Sequence, residues 1–168
     1  MQRRSLLKLG VGAAVVLGLA GGAASLLVPG LVDARLTPSS REVFHAVGRA
    51  LLDGSLPAGT DARRAALLSL LDRIDALVAS LPPHAQSELS DLLALLATSP
   101  GRAWLAHVPV AWGEAGTVQL QQALHEMQVS SLSLARQAYQ ALHDIVEAAY
   151  FSEPATWQLL GYPGPVKV

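Results

Sequence analysis

The chain of 168 residues contains no cysteine. Disulfides, thiolate metal ligands, iron–sulfur clusters, c-type haem attachment and thiol nucleophiles are therefore excluded together. The chain also lacks an excess of positive charge, because 12 lysines and arginines face 13 aspartates and glutamates. Binding to a phosphate backbone requires such an excess, so we do not expect nucleic acid as a partner.

Charged residues are scarce, at 15%, whereas hydrophobic residues make up 51% of the chain. Much of the apolar excess lies near the start, where residues 9–32 carry no charge. Arg3, Arg4 and Lys8 precede this run, and a charged segment followed by an apolar one is typical of an export signal. The run is long enough to span a bilayer as a helix, but its glycines and Pro29 favour a signal over a permanent anchor.

Residues 2–8 read QRRSLLK and resemble the twin-arginine export motif, whose usual form is Ser-Arg-Arg-x-Phe-Leu-Lys. Arg3, Arg4, Leu7 and Lys8 match this motif. The twin-arginine route carries proteins that are already folded, which matters when a cofactor must be inserted before transport. An ordinary secretory leader with two arginines at its positive end is the alternative.

No strict Ala-x-Ala sequence marks a cleavage site in the leader. Val32-Asp33-Ala34 fits the small-residue rule best, so we predict a signal segment over 1–34 and a helical domain over 35–168. The alternative is an uncleaved leader that attaches the domain to the inner membrane.

The rest of the chain shows helical spacing of apolar residues, interrupted by proline and glycine. No segment shows sustained two-residue alternation, so a sheet is not expected. We predict an all-α bundle of about five helices. The helices should run over 38–52, from 60 or 61 to 81, and from 83 until Ser99-Pro100-Gly101; a short helix and a loop should cover 102–116, and the long segment 117–151 should break at Ser130-Ser131.

The segment 42–45 has the Glu-x-x-His spacing that places a carboxylate and an imidazole on one helical face, as in di-iron bundles. Such a site needs a second motif, and Gln140 supplies an amide where the metal would need an anion. We therefore do not predict a metal site here and interpret His45 as a surface or partly buried side chain.

Two neighbouring pairs, His125-Glu126 and His143-Asp144, combine an imidazole with a carboxylate. Adjacent residues on a helix point in different directions, so we expect neither pair to act as an acid–base couple. Nucleophile elbows, phosphate loops and dinucleotide fingerprints do not occur in the sequence. We predict no catalytic residue, no metal ligand and no cofactor-binding residue in this chain.

Aromatic residues are few, yet half of them lie near the C-terminus among prolines and glycines. Rigid aromatic side chains are typical hot spots of protein interfaces. The candidate partner interface is Tyr150, Phe151, Trp157, Tyr162 and Pro163. Alternatively, these rings cover the core of the bundle itself. Both interpretations can hold, each for different rings.

The same region carries a resemblance to a known family. The runs AAYF at 148–151, PATW at 154–157 and LGYPGP at 160–165 look like the C-terminal signature of the gluconate 2-dehydrogenase subunit 3 family. Members are small accessory subunits of flavin-dependent dehydrogenases that carry a twin-arginine signal. The segments 49–57 and 131–142 also resemble the family, so the similarity spans nearly the whole chain.

The resemblance implies a noncatalytic subunit of an oxidoreductase complex in the periplasm. FAD would belong to the partner, a catalytic subunit of the glucose–methanol–choline type that commonly has no export signal of its own. A cytochrome c subunit can accept its electrons, and the twin-arginine translocase would carry both chains together. The rival hypotheses are a free-standing exported or membrane-anchored helical binding protein, and an enzyme in its own right.

Overall fold

Prolines, glycines and serines divide residues 28–157, which are the residues that the computed structural model describes, into seven helices. Five of them have 13 residues or more, and two are short. The predicted all-α class is confirmed. The helices are α1 (Pro38–Leu51), α2 (Thr60–Ala79), α3 (Pro83–Ala97), α4 (Ser99–Leu105), α5 (Thr117–Val129), α6 (Ser133–Phe151) and α7 (Pro154–Trp157).

Proline begins three of these helices, at Pro38, Pro83 and Pro154. Its missing N–H and fixed φ suit the first helical position, where the amide would have no helical partner. The helix from Pro83 ends close to the predicted Ser99-Pro100-Gly101, at Ala97, but these three residues themselves begin α4, three residues before the predicted start of the short helix. The hydroxyl of Thr98 accepts a hydrogen bond from the backbone N–H of Gly101 at 3.0 Å and caps the new helix.

The long segment near the C-terminus breaks at the predicted place. Helix α5 ends at Val129, and α6 begins at Ser133. The hydroxyl of Ser130 accepts a hydrogen bond from the backbone N–H of Leu132 at 3.2 Å, a local bond that competes with helical pairing. The chain can therefore reverse and pack α6 against α5.

Helix α1 occupies the centre of the bundle and packs against α2, α3, α5 and α6. Val43, Phe44 and Val47 are completely buried at this centre. Gly48 lies where α1 meets α2, and a Cβ atom there would stand 2.7 Å from a methyl group of Leu70. The absence of a side chain at Gly48 thus allows the two helices to approach closely.

A small hairpin precedes α1, and it corrects the expectation that no sheet forms. Strand β1 (Leu31–Val32) pairs antiparallel with β2 (Arg35–Leu36), with Leu31 opposite Leu36. The turn residues Asp33 and Ala34 have φ values of 49° and 58°, as tight hairpin turns require. Strands of two residues are too short to produce an alternating pattern in the sequence.

Gly30, just before β1, fixes the hairpin to the bundle. Its N–H donates to the carbonyl oxygen of Ser90 in α3 at 3.2 Å. Its carbonyl oxygen accepts bonds from the backbone N–H and the hydroxyl of Thr37, both at 3.1 Å, and from the hydroxyl of Ser40 at 2.7 Å. Thr37 directly precedes α1, but its hydroxyl binds Gly30 instead of capping the helix.

A carboxylate in α2 holds the other strand. Oδ1 of Asp75 accepts a bond from the backbone N–H of Leu36 at 2.8 Å, and its Oδ2 accepts one from the guanidinium of Arg41 at 2.5 Å. The same guanidinium also binds Asp72, at 2.9 Å. The hairpin, α1 and α2 are thereby joined at one point.

Candidate functional site

Tyr150, one of the predicted interface residues, lies in the core with 5% of its surface exposed. Its hydroxyl donates to the carbonyl oxygen of Ser55 at 2.8 Å, and its ring meets that of Phe151 edge to face with centroids 5.2 Å apart. Burial raises the pKa of this phenol, and the charge of Arg73 partly opposes the shift. For Tyr150 the structure thus supports the alternative that the ring covers the core of the bundle.

Phe151 and Trp157 are both partly buried at the end of α6 and in α7. The indole N–H of Trp157 donates to the carbonyl oxygen of Phe151 at 2.8 Å. The hydroxyl of Thr156 lies within hydrogen-bond distance of two carbonyl oxygens, those of Tyr150 at 3.2 Å and Glu153 at 2.7 Å, so α7 folds back onto the end of α6. The indole of Trp157 is therefore held in place with its polar edge satisfied and part of its ring exposed.

Arg73 in α2 contacts the C-terminal end of α6 and the residue that precedes α7. Its Nε donates to the carbonyl oxygen of Ala149 at 2.8 Å, and its Nη1 lies 2.7 Å from the hydroxyl of Ser69 and 3.9 Å from a carboxylate oxygen of Glu153. The last turn of α6 leaves carbonyl groups without helical partners, and a guanidinium is well suited to bind them. The position of α7 therefore depends on α2.

The remaining predicted site residues lie outside the described range. Arg3, Arg4, Leu7 and Lys8 precede residue 28. Tyr162 and Pro163 follow residue 157. Their roles in export and in partner binding stay predictions. Within residues 28–157, none of the helices combines the length and the apolar character that crossing a bilayer requires.

The most exposed aromatic side chain of the described residues is Trp104 in α4, at 59% exposure. Trp112 is its opposite: it is 3% exposed, and its indole N–H donates to the carbonyl oxygen of Leu96 at 2.9 Å. Both lie in the segment 102–116, for which the sequence predicts a short helix and a loop, and neither is among the predicted interface residues. The helical spacing of apolar residues could not distinguish the exposed tryptophan from the buried one, because only Trp104 lies in a helix and that helix has seven residues.

Two shallow grooves open on the surface of the described residues, with volumes of about 200 and 240 Å³. Sites that enclose a small organic ligand usually measure about 300–1,000 Å³. These grooves are therefore too small to enclose such a ligand. The first is lined by Ala50, Leu51, Gln121, Leu124, His125, Gln128 and Tyr139, and the second by Leu31, Ala34, Pro83, Gln86, Ser87, Ser90 and Asp91.

The Glu-x-x-His segment in α1 has an exposed carboxylate at Glu42 and a half-buried imidazole at His45. Burial lowers the pKa of His45, and the positive charge of Arg49 lowers it further. Among residues 28–157, no group of three or more histidine, aspartate or glutamate side chains is arranged to bind a metal ion. Burial and the charge of Arg49 both favour the neutral form of the His45 imidazole.

His143 and Asp144 approach each other more closely than expected, with Nδ1 and Oδ1 3.4 Å apart. The expectation that neighbouring side chains on a helix diverge is therefore wrong for this pair. His143 also lies 3.3 Å from Glu147 one turn later, and its ring centroid is 5.4 Å from that of Tyr139. Burial raises the pKa of Tyr139, and the carboxylates of Glu147 and Asp144 add to this shift. The cluster lies on a partly exposed part of α6, and the spacing of four residues from Tyr139 to His143 and from His143 to Glu147 is that of ordinary helix-surface pairs.

Comparison with models of protein families, with curated proteins and with solved structures gives no match for this chain.

Proposed function

We propose that this chain is a noncatalytic small subunit that escorts a folded FAD-containing dehydrogenase through the twin-arginine route and stays bound to it as a structural subunit. The observation that carries the proposal is the segment QRRSLLK at residues 2–8, followed by an uncharged run that leads into a folded helical domain. In this arrangement FAD and the substrate site belong to the partner, a dehydrogenase of the glucose–methanol–choline type, and a cytochrome c can serve as its electron acceptor.

The attachment of the first described residues to the bundle supports an escort role. The apolar run of residues 9–32 includes Gly30, which is hydrogen-bonded to Thr37, to α1 and to α3, so the leader continues directly into the packed domain. A passenger without its own signal needs such a connection to cross the membrane on another chain's signal. The proposal places the complex in the periplasm.

The exposed aromatic side chains supply a means of binding the partner. Trp104 exposes more than half of its surface, and Trp157 is held in place while part of its ring remains exposed. A tryptophan that is already ordered loses little conformational entropy when a partner covers it. We assign Trp157 and Tyr162 to the partner interface, and we add Trp104 as a third candidate.

Co-expression with a candidate partner, a dehydrogenase of the glucose–methanol–choline type, tests the export role. Replacing Arg3 and Arg4 by lysine should leave the partner's flavin and activity in the cytoplasm. The matched control is the pair Arg63→Lys and Arg64→Lys, two adjacent arginines in α2 that should not affect export. Export of the partner despite lysine at positions 3 and 4 would contradict the proposal.

The interface assignment has its own test. Trp157→Ala should weaken the complex by about 30-fold, which corresponds to roughly 2 kcal/mol for a buried interface tryptophan, while the far-UV circular dichroism stays unchanged. Trp157→Phe retains an apolar ring and should bind nearly as tightly. Tyr162→Ala should act like Trp157→Ala. Unaltered binding in both alanine variants, or gentle purification of a colourless monomer, would favour the free-standing binding protein.

A further inference from the structure

The backbone around Gly30 bears on where the leader ends. Gly30 is buried, and a Cβ atom on it would lie 2.5 Å from the Cβ of Leu93 and 2.5 Å from the carbonyl oxygen of Ser90. The next residue, Leu31, donates its N–H to the hydroxyl of Ser90 at 3.1 Å. Residues 30 and 31 are thus an ordered part of the domain, packed against the middle of α3.

We propose that the hairpin stays in the exported domain and that the leader is removed by a cut before it, with Ala24 as the last residue removed. This inference rests on the proposed export by the twin-arginine route. It moves the end of the leader from Ala34, which best fits the small-residue rule in the sequence, to a position before the first ordered strand.

A cut after Ala34 would divide a hydrogen-bonded unit. It would release β1 together with Gly30, whose carbonyl oxygen is the acceptor for Thr37 and Ser40. Thr37 is 7% exposed and Ser40 is completely buried, so water would have little access to replace that acceptor. The strand that remained would also lose its only paired neighbour in the two-stranded sheet.

The bond after Ala34 is also in the wrong conformation for proteolysis. Asp33 and Ala34 have left-handed backbone angles in a tight turn between paired strands, so a peptidase that binds its substrate in an extended conformation would first have to open the hairpin. Because twin-arginine cargo folds before transport, this turn is already formed when a leader peptidase meets it. The folded hairpin therefore protects the Ala34–Arg35 bond.

A second sequence in the leader fits the small-residue rule without this difficulty. Gly22 and Ala24 place small residues three positions and one position before a cut that would leave Ser25 as the new N-terminus. A leader that ends at Ala24 falls within the usual length of about 15–30 residues, whereas one that ends at Ala34 exceeds it. Four residues then separate Ser25 from Gly30 on the side of the domain, and the first of them that the structure describes, Val28, is exposed.

The test determines the N-terminus of the periplasmic chain by intact mass, after co-expression of the full chain with its partner. The unaltered chain should begin at Ser25. Ala24→Phe, which puts a large residue before the cut, should block processing. The matched control is Ala34→Asn, because asparagine tolerates the left-handed turn but is not a small residue, and this variant should still begin at Ser25. A chain that begins at Arg35, or one that keeps residues 1–24, overturns the inference.

The role of Gly30 is measured separately by thermal unfolding of the full chain. Gly30→Ala should lower the melting temperature by about 5 °C or more, because the new methyl group overlaps Leu93 and the backbone of α3. The control is Gly54→Ala, whose new Cβ would meet no atom within 4 Å. Equal melting of the two variants overturns the inference.

The two proposals fail in different ways. A full-length chain that stays in the cytoplasm with its partner exported would overturn both the export function and the inferred cut. A periplasmic chain that begins at Arg35 overturns the inferred cut and leaves the export function intact.

Discussion

Replacement of Asp75 by alanine tests how firmly the hairpin is attached to the bundle. One guanidinium, that of Arg41, binds two carboxylates: the side chain of Asp75 is 17% exposed, and that of Asp72 is 74% exposed. Only Asp75 also accepts the backbone N–H of Leu36, which is 7% exposed. The structure thus contains a matched pair of aspartates that differ in burial and in one backbone bond.

The expected cost of Asp75→Ala follows from these contacts. An unsatisfied buried N–H at Leu36 costs about 1–3 kcal/mol. The lost bond to Arg41 adds roughly 1 kcal/mol, since that guanidinium is partly exposed and keeps its bond to Asp72. We therefore expect Asp75→Ala to lower the free energy of unfolding by about 2–4 kcal/mol. Asp72→Ala removes an exposed ion pair and should cost about 0–1 kcal/mol.

Urea unfolding followed by circular dichroism at 222 nm measures these differences. The midpoint should fall in Asp75→Ala with an unchanged slope, as expected for a loss of stability without a change in the surface exposed on unfolding. Asp75→Asn keeps an acceptor for Leu36 and should lie between the alanine variant and the unaltered chain. If Asp75→Ala is no less stable than Asp72→Ala, the hairpin is not held by this carboxylate and the reasoning is refuted.

Three further substitutions have expected outcomes. Ala34→Gly should raise the free energy of unfolding by about 0.5–1 kcal/mol in urea titrations, because glycine adopts the left-handed turn without steric cost; a loss of stability would contradict the turn geometry. Tyr150→Phe removes the bond to the carbonyl oxygen of Ser55 and should cost about 1 kcal/mol with unchanged helix content, unless another donor replaces it. His45 has a lowered pKa, so it stays neutral in the folded state while the unfolded chain takes up a proton below pH about 6.5. Stability should thus fall as pH decreases through that range, and His45→Gln should flatten this part of the pH profile; an equal slope in both proteins would count against the assignment.

The helices could be predicted because their signals are local. Apolar spacing and prolines at the helix starts fixed α1 and α3 to within a residue or two, and Ser130 marked the break between α5 and α6. The start of α4 was missed, because Ser99-Pro100-Gly101 has the composition of a break and the bond from Gly101 to Thr98 makes it a cap.

The hairpin and the core position of Tyr150 depend on residues that are distant in sequence. Leu31 is bonded to a residue 59 positions away, and the hydroxyl of Tyr150 to one 95 positions away. Neither hydrogen bond produces a periodic pattern of residues in the local sequence. For the same reason, aromatic content near the C-terminus could indicate an interface but could not separate the buried Tyr150 from the partly exposed Trp157.

The attachment of Gly30 to α3 also determines when residues 30 and 31 become ordered during folding. Individual helices form within microseconds from local contacts, whereas the bonds between residues 30–31 and Ser90 close a loop of about sixty residues and can form only after α3 has docked. We therefore expect the hairpin to be among the last parts of the domain to acquire its structure. In a nascent chain residues 30 and 31 are therefore not yet bonded to α3, whereas in the finished bundle both are bonded to Ser90.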